Sequence, residues 1–232
     1  MNMELMPLAA GGLLADRTYE AIRAAVLSNR LPPGAALSVP ELARQLDVSR
    51  SPVREAVQRL IHDGLATHVP HRGAEVSRVD IDDLRELYVV REVLEGAAAR
   101  LATDNLDAAG LEDLREIVDN HEGVLDGVDS ERETGSVIAT HIDLDMRFHR
   151  RLRELAGNEH LSGVLEPLAG RCHFALHSLW RSDDAPRLAL DEHKAILAAV
   201  EAGDPQQAEV AARTHIARLR VRLGRATAGA PE

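Results

Sequence analysis

Residues 41–64 read Glu-Leu-Ala-Arg-Gln-Leu-Asp-Val-Ser-Arg-Ser-Pro-Val-Arg-Glu-Ala-Val-Gln-Arg-Leu-Ile-His-Asp-Gly. This stretch decides the fold. Val53, Val57, Leu60 and Ile61 recur at helical spacing and predict a buried face. Asp47-Val48 makes a tight turn before them, and Gly64 stands where a helix takes its left-handed terminal residue. Ser49 or Ser51 is expected to cap the second helix, and Pro52 is tolerated in a first turn. Arg50 and Arg54 lie four residues apart, so both project from one side of that helix. Arginine can pair bidentately with guanine O6 and N7, worth about 1–3 kcal/mol of discrimination between bases. Two short helices about a turn, with arginines at the start of the second, are what major-groove recognition by a helix-turn-helix requires.

Upstream, a helix is predicted from about Leu14 to Ser28, with Tyr19, Ile22, Val26 and Leu27 near helical spacing, stopped by Leu31-Pro-Pro-Gly34. Ser38-Val-Pro-Glu41 reads as a capping box, in which Ser38 caps the Glu41 N–H and Glu41 reaches back. Downstream, Leu65–Val69 and Ala74–Val76 read as two strands joined by Pro70-His-Arg-Gly73, a wing with Arg72 and Gly73 at its tip. Arg72 is placed for a minor groove, Arg44 for a phosphate, and Ser49 and Ser51 for phosphate hydrogen bonds.

The chain has 232 residues, enough for two small domains. Aromatic residues are only 2%, so the cores must be aliphatic, which favours helices over a sandwich of sheets. Cys172 is the sole cysteine and excludes an intrachain disulfide. No apolar run is long enough to span a membrane, and Glu4 with no basic run before Leu5–Leu14 argues against a signal peptide. A cytoplasmic location is expected. Net charge is −11, which by itself disfavours nucleic acid, but the distribution is uneven. Residues 13–78 hold nine arginines against seven acidic side chains, while residues 79–232 hold 18 basic and 30 acidic. The acidic part is therefore expected to face away from phosphate. These patterns divide the chain into a tail (1–12), a winged helix-turn-helix (13–78), an all-helical bundle (79–226) and a second tail (227–232).

Within the bundle, helices are predicted over 81–103, 107–127, about 131–157, 158–181, 186–202 and 205–226. Asp145 and His149 are one turn apart beside the apolar stripe of Leu144, Phe148, Leu152 and Leu155. His193 lies among Leu190, Ile196, Leu197 and Val200, and His215 follows Ala208, Ala211 and Ala212. Three helices thus aim three imidazoles and a carboxylate inward, a set that suits Zn²⁺, Ni²⁺, Mn²⁺ or Fe²⁺. From spacing alone the metal signal is weak, and hydrogen-bonded core histidines are the commoner explanation. His173 and His177 form another pair one turn apart, either touching a ligand or packing. Asn158 reads as a helix cap.

The segment Leu37-Ser-Val-Pro-Glu-Leu-Ala, followed by Val-Ser-Arg-Ser-Pro-Val-Arg-Glu-Ala-Val, Gly-Leu and Arg-Gly, resembles the winged helix of GntR-family bacterial transcription regulators over residues 14–78. Some relatives place a DNA-contacting arginine just before the Glu-Leu of the second helix; Pro40 stands there, so that contact is missing. Asp145-Met-Arg-Phe-His149, Arg153 to Gly157-Asn158, Glu192-His193-Lys-Ala-Ile and Gly203-Asp204 to His215 are similar to the FCD ligand domain of the FadR subgroup, over about 82–223. The resemblance implies that Asp145, His149, His193 and His215 hold a divalent metal, zinc first, with nickel, manganese or iron as alternatives. It also implies that Arg91, in Arg-Glu-Val-Leu-Glu-Gly-Ala-Ala, faces an effector pocket, where its guanidinium would fork onto a carboxylate. An ion pair with Glu95 is the competing role for Arg91.

The leading reading is a mainly α transcription regulator, not an enzyme. It binds a palindromic operator as a homodimer and is controlled by a small organic acid. The alternatives are a metal-free sensor of a larger acyl ligand and a metalloenzyme using the Asp/His site. The enzyme reading leaves Arg50 and Arg54 unexplained, and no dedicated general base is evident.

Overall fold

The computed structural model describes residues 12–70, 72–78, 80–127, 134–179 and 185–228. The expected tails up to residue 11 and beyond 228, the start of the helix predicted from 131 and most of the turn at 182–186 lie outside the described residues. The chain separates into two compact units, Met1–Arg78 and Val79–Glu232.

In the first unit, α1 (Gly12–Leu27), α2 (Val39–Gln45) and α3 (Arg50–His62) precede an antiparallel hairpin of β1 (Ala66–Val69) and β2 (Gly73–Val76). α1 and α2 both pack on α3. Ala15, Tyr19, Ile22 and Val26 are buried on α1, and Val53, Ala56, Val57 and Leu60 on α3. Ala56 takes the place expected for Ile61, which is only half-buried. Arg59 ties the two helices together: it pairs with Asp16 at 2.7 Å and lies over the Tyr19 ring, while the Tyr19 hydroxyl donates to Asp63. The segment 34–37 runs beside β2, with Leu37 N–H donating to Ala74 O and Val76 N–H to Ala35 O.

Three local expectations are corrected. α1 ends at Leu27, one residue from its expected end, but the turn is made by Asn29 at a left-handed φ of 57°, a conformation asparagine tolerates better than most residues, and not by the Pro-Pro-Gly run. The capping box does not form. Ser38 occupies the N-cap without a side-chain hydrogen bond, and Glu41 instead accepts from Arg44 and Gln45. Ser49 is likewise an N-cap whose hydroxyl makes no capping bond. The turn itself sits where expected, with Asp47 at φ 52° and Gly64 at φ 72° closing α2 and α3.

The second unit is all-helical: α4 (Ile81–Asp104), α5 (Ala108–Asp126), α6 (Thr134–Leu155), α7 (Glu159–Leu179), α8 (Ala185–Glu201) and α9 (Pro205–Ala228). Asp80, Asp107, Asn158 and Asp204 each accept a backbone N–H in the first turn of the helix they cap. α4 is central, packing on α6, α7, α8 and, most extensively, α9. It lies antiparallel to α9, since Arg100 reaches Glu209 while Glu92 reaches Arg213 and Arg220. Gly96 permits the close approach: a Cβ there would sit 2.5 Å from Arg213 Cγ. The main core joins Ala99, Ala102, Leu114, Phe148, Leu152, Ile196 and Val200, drawn from α4, α5, α6 and α8. No described helix is long and apolar enough to cross a membrane.

Candidate nucleic-acid interface and candidate metal centre

The turn between α2 and α3 directs the start of α3 outward. Ser49, Arg50, Ser51 and Arg54 are exposed, and Arg72 and Gly73 are exposed at the hairpin tip. Arg50, Arg54 and Arg72 form no ion pair with any described residue, so their guanidiniums are available to an anion or a base edge. Arg44 differs: it pairs with Glu41 at 2.6 Å, and a phosphate would have to compete with that carboxylate. The α3 N-terminus adds exposed backbone N–H groups beside the arginines.

In the helical unit, α6, α8 and α9 bring Asp145, His149, His193 and His215 together, all buried, with one ligand atom from each within 4.8 Å of the others. His149 Nε2 and His215 Nε2 are 3.2 Å apart. His193 Nε2 is 3.2 Å from Asp145 Oδ1, and the other two Nε2 atoms are 4.0 and 3.9 Å from that oxygen. A cation with ligands ~2.1 Å away spaces them by roughly 3–4 Å; the four separations of 3.2–4.0 Å match that, and the set as a whole, spread over up to 4.8 Å, would draw in around an ion. His193 Nε2 is buried and meets Asp145 Oδ1 at 3.2 Å without the alignment of a hydrogen bond.

Burial favours the neutral form of His193 and His215, the form that metal ligation requires. His215 is pushed down to about 3, burial outweighing the opposing pull of Glu192. His193 is also lowered by burial, against Asp145. Glu192 Oε2 lies 2.9 Å from His215 Nδ1, which turns Nε2 toward the centre; Arg222 holds that carboxylate with two bonds of 2.8 and 2.7 Å.

Arg91 forms the ion pair with Glu95 that competes with an effector role. It is fully buried, its Nε donates to Glu95 Oε1 at 3.2 Å, and Nη1 and Nη2 have no hydrogen-bond partner. Tyr88, one turn earlier, buries an equally unpartnered hydroxyl. Such groups are costly to bury unsatisfied.

The winged-helix unit matches the family model for bacterial regulatory proteins of the gntR family over residues 14–76, and the helical unit matches the FCD domain over 86–218. The chain belongs to the GntR family. It is 32% identical over 214 residues to an HTH-type transcriptional regulator in an unstable DNA locus of Streptomyces ambofaciens, covering 92% of this chain and 86% of that one. It is also 32% identical to a probable D-xylose utilization operon transcriptional repressor of Paenarthrobacter nicotinovorans, covering 88% and 86%. A putative GntR regulator from Rhodococcus superposes with a TM-score of 0.71 at 28% identity over 90% of this chain and 96% of that one. Escherichia coli McbR/YncC shares the fold, with a TM-score of 0.78 at 24% identity over 91% and 97%. A DNA-binding helix-turn-helix and an FCD ligand-binding domain make this GntR-family chain a transcription regulator.

Sequence reasoning passed over a second histidine pair in this regulator. His121 on α5 and His141 on α6 are buried with His121 Nε2 2.6 Å from His141 Nδ1, and the His121 ring lies 5.9 Å from that of His193. Burial lowers His121 to about 4 and His141 to about 3. The signal was present: His121 continues the buried stripe of Leu114, Ile117 and Val118, and His141 lies one turn before Asp145. The side chains of His173 and His177 lie outside the described residues, although α7 includes their backbone.

Proposed function

We propose that this regulator's operator affinity is controlled by a small carboxylate effector gripped between Arg91 and a divalent metal held by Asp145, His149, His193 and His215. The observation that carries this is the convergence, in one buried region, of four metal-type donors and a guanidinium whose two terminal nitrogens are unpartnered. Three imidazole nitrogens and one carboxylate favour zinc, with nickel, manganese or iron as alternatives. The metal would supply a Lewis-acidic point for the effector's oxygens; Arg91 would orient the carboxylate through a bidentate fork.

On DNA, Arg50 and Arg54 enter the major groove, Ser49, Ser51 and the α3 N-terminus hold phosphates, and Arg72 with Gly73 reaches the minor groove. A homodimer formed through the helical domain places two winged helices on a palindromic operator in the cytoplasm. The effector acts by favouring one placement of those winged helices over another, a population shift.

Elemental analysis of protein purified without an affinity tag tests the metal. About one transition metal per chain, lost in a folded His193→Ala/His215→Ala double variant, is expected. Full occupancy in that variant refutes the ligand set. No metal after reconstitution refutes the metal-dependent mechanism and leaves the DNA-binding assignment standing.

A further inference from the structure

One buried side chain, Glu95, touches both halves of this site. It lies on α4 one turn beyond Arg91 and is 1% exposed. Its Oε1 accepts from Arg91 Nε at 3.2 Å and from Arg153 Nη1 at 3.3 Å. Its Oε2 lies 3.3 Å from His149 Nδ1, a charge-dipole contact off the ideal hydrogen-bond direction, and neither atom has a hydrogen-bond partner, so each is the nearest group able to satisfy the other. A buried carboxylate is tolerated only when paired. Two guanidiniums supply the pairing, and Arg153 is anchored on its other side by Glu166 at 3.0 Å.

A neutral imidazole carries hydrogen on one nitrogen and a lone pair on the other, while an ionised carboxylate can only accept. Glu95 beside Nδ1 therefore favours hydrogen on Nδ1 and leaves a lone pair on Nε2. That Nε2 is the atom that faces His215 Nε2 and Asp145 Oδ1.

We infer that Glu95 is a positioning residue for both halves of the site, selecting the metal-competent tautomer of His149 and holding Arg91 by Nε so that its terminal nitrogens stay available to a carboxylate. The purpose of this arrangement rests on the function proposed above; the tautomer rests on Glu95 beside Nδ1, whose negative charge outweighs the 3.2 Å approach of His215 Nε2 to the other ring nitrogen. One carboxylate then couples the metal to the effector arginine, because whatever shifts Glu95 disturbs both.

Glu95→Gln is the discriminating substitution, since it keeps the shape and removes the charge. Its amide oxygen would turn to the two arginines and its NH₂ to His149 Nδ1, which reverses the tautomer to hydrogen on Nε2. Long-range ¹H–¹⁵N NMR of the metal-free full-length protein at neutral pH reads this directly. Wild type is expected to show His149 protonated on Nδ1, and Glu95→Gln to show it protonated on Nε2, with the His215 signals, governed by Glu192, unchanged. Competition with a chromophoric chelator is expected to show zinc bound about 10- to 100-fold more weakly by the variant. Wild-type His149 protonated on Nε2 overturns the inference even if the variant fails to fold. So does a folded variant with an unchanged tautomer or unchanged zinc affinity. Wild type that takes up no zinc refutes the metal reading instead, while the nitrogen shifts still judge Glu95.

Discussion

Lowering the pH of the metal-free protein should destabilise its helical domain well above the range where carboxylates titrate. His121, held at about 4 by burial against an ordinary 6.5, provides the magnitude. Its folded value lies below the unfolded one, so the unfolded chain takes the proton first as pH falls. The stabilising difference is whole above about pH 6.5 and is lost on the way down toward pH 4. At pH 5 the cost for this one ring is about 2 kcal/mol. His141 and His215, each lowered to about 3, carry a similar cost at that pH. The rings lie close enough to couple, so the three together cost somewhere between about 2 and 6 kcal/mol. That is a large share of the ~5–15 kcal/mol that holds a typical protein folded. Glu192, lowered from 4.5 to about 2, contributes its loss only at more acidic pH and leaves this window clean. Urea unfolding followed by circular dichroism, in the presence of a chelator at pH 8, 6.5 and 5, measures the effect. The midpoint should fall progressively, and His121→Leu should flatten the dependence by about 2 kcal/mol. An equal midpoint at pH 8 and pH 5 would refute the reasoning. It would mean that the close His121–His141 contact, 2.6 Å between nitrogens, retains a proton as an imidazole–imidazolium pair.

Arg54→Ala should weaken specific operator binding by about 5- to 150-fold with an unchanged circular dichroism spectrum, the 1–3 kcal/mol of a base-contacting arginine; an unaltered footprint would remove α3 from the major groove. Arg91→Ala should bind operator but no longer release it in a panel of organic acids that release wild type, as read by fluorescence anisotropy; retained release would place the carboxylate elsewhere. Gly96→Ala should lower the thermal midpoint, because the new Cβ meets Arg213 Cγ at 2.5 Å and α4 and α9 must separate or Arg213 must give up its place, at about 1–3 kcal/mol. An unchanged midpoint would show that the Arg213 stem yields freely.

The two-helix pattern around Asp47 and Gly64 was legible because turn residues and apolar spacing are local properties. Its details were less so. Ser38 and Glu41 have capping-box spacing, yet Glu41 finds a cationic partner in Arg44 and a donor in Gln45 within the same helix, and an exposed charge pair competes with the backbone. Ile61 outranks Ala56 in hydrophobicity, but Ala56 is the residue that points at the packed neighbours of α3. The grouping of Asp145, His149, His193 and His215 came from inward-facing positions together with family resemblance; their spacing alone favoured core histidines.

The order and kind of elements, the arginines at the start of α3 and the polar residues on apolar faces could all be read locally. Periodicity of 3.6 residues, turn chemistry and local charge carry that information within one or two turns of chain. Which of those polar residues meet depends on contacts between distant segments. Glu95 reaches Arg153 across 58 positions and His149 Nδ1, Glu192 reaches Arg222 and His215, and His121 reaches His141. These partnerships depend on how α4, α5, α6, α8 and α9 cross, which is set by side-chain packing summed over the core and not by any single stretch of chain.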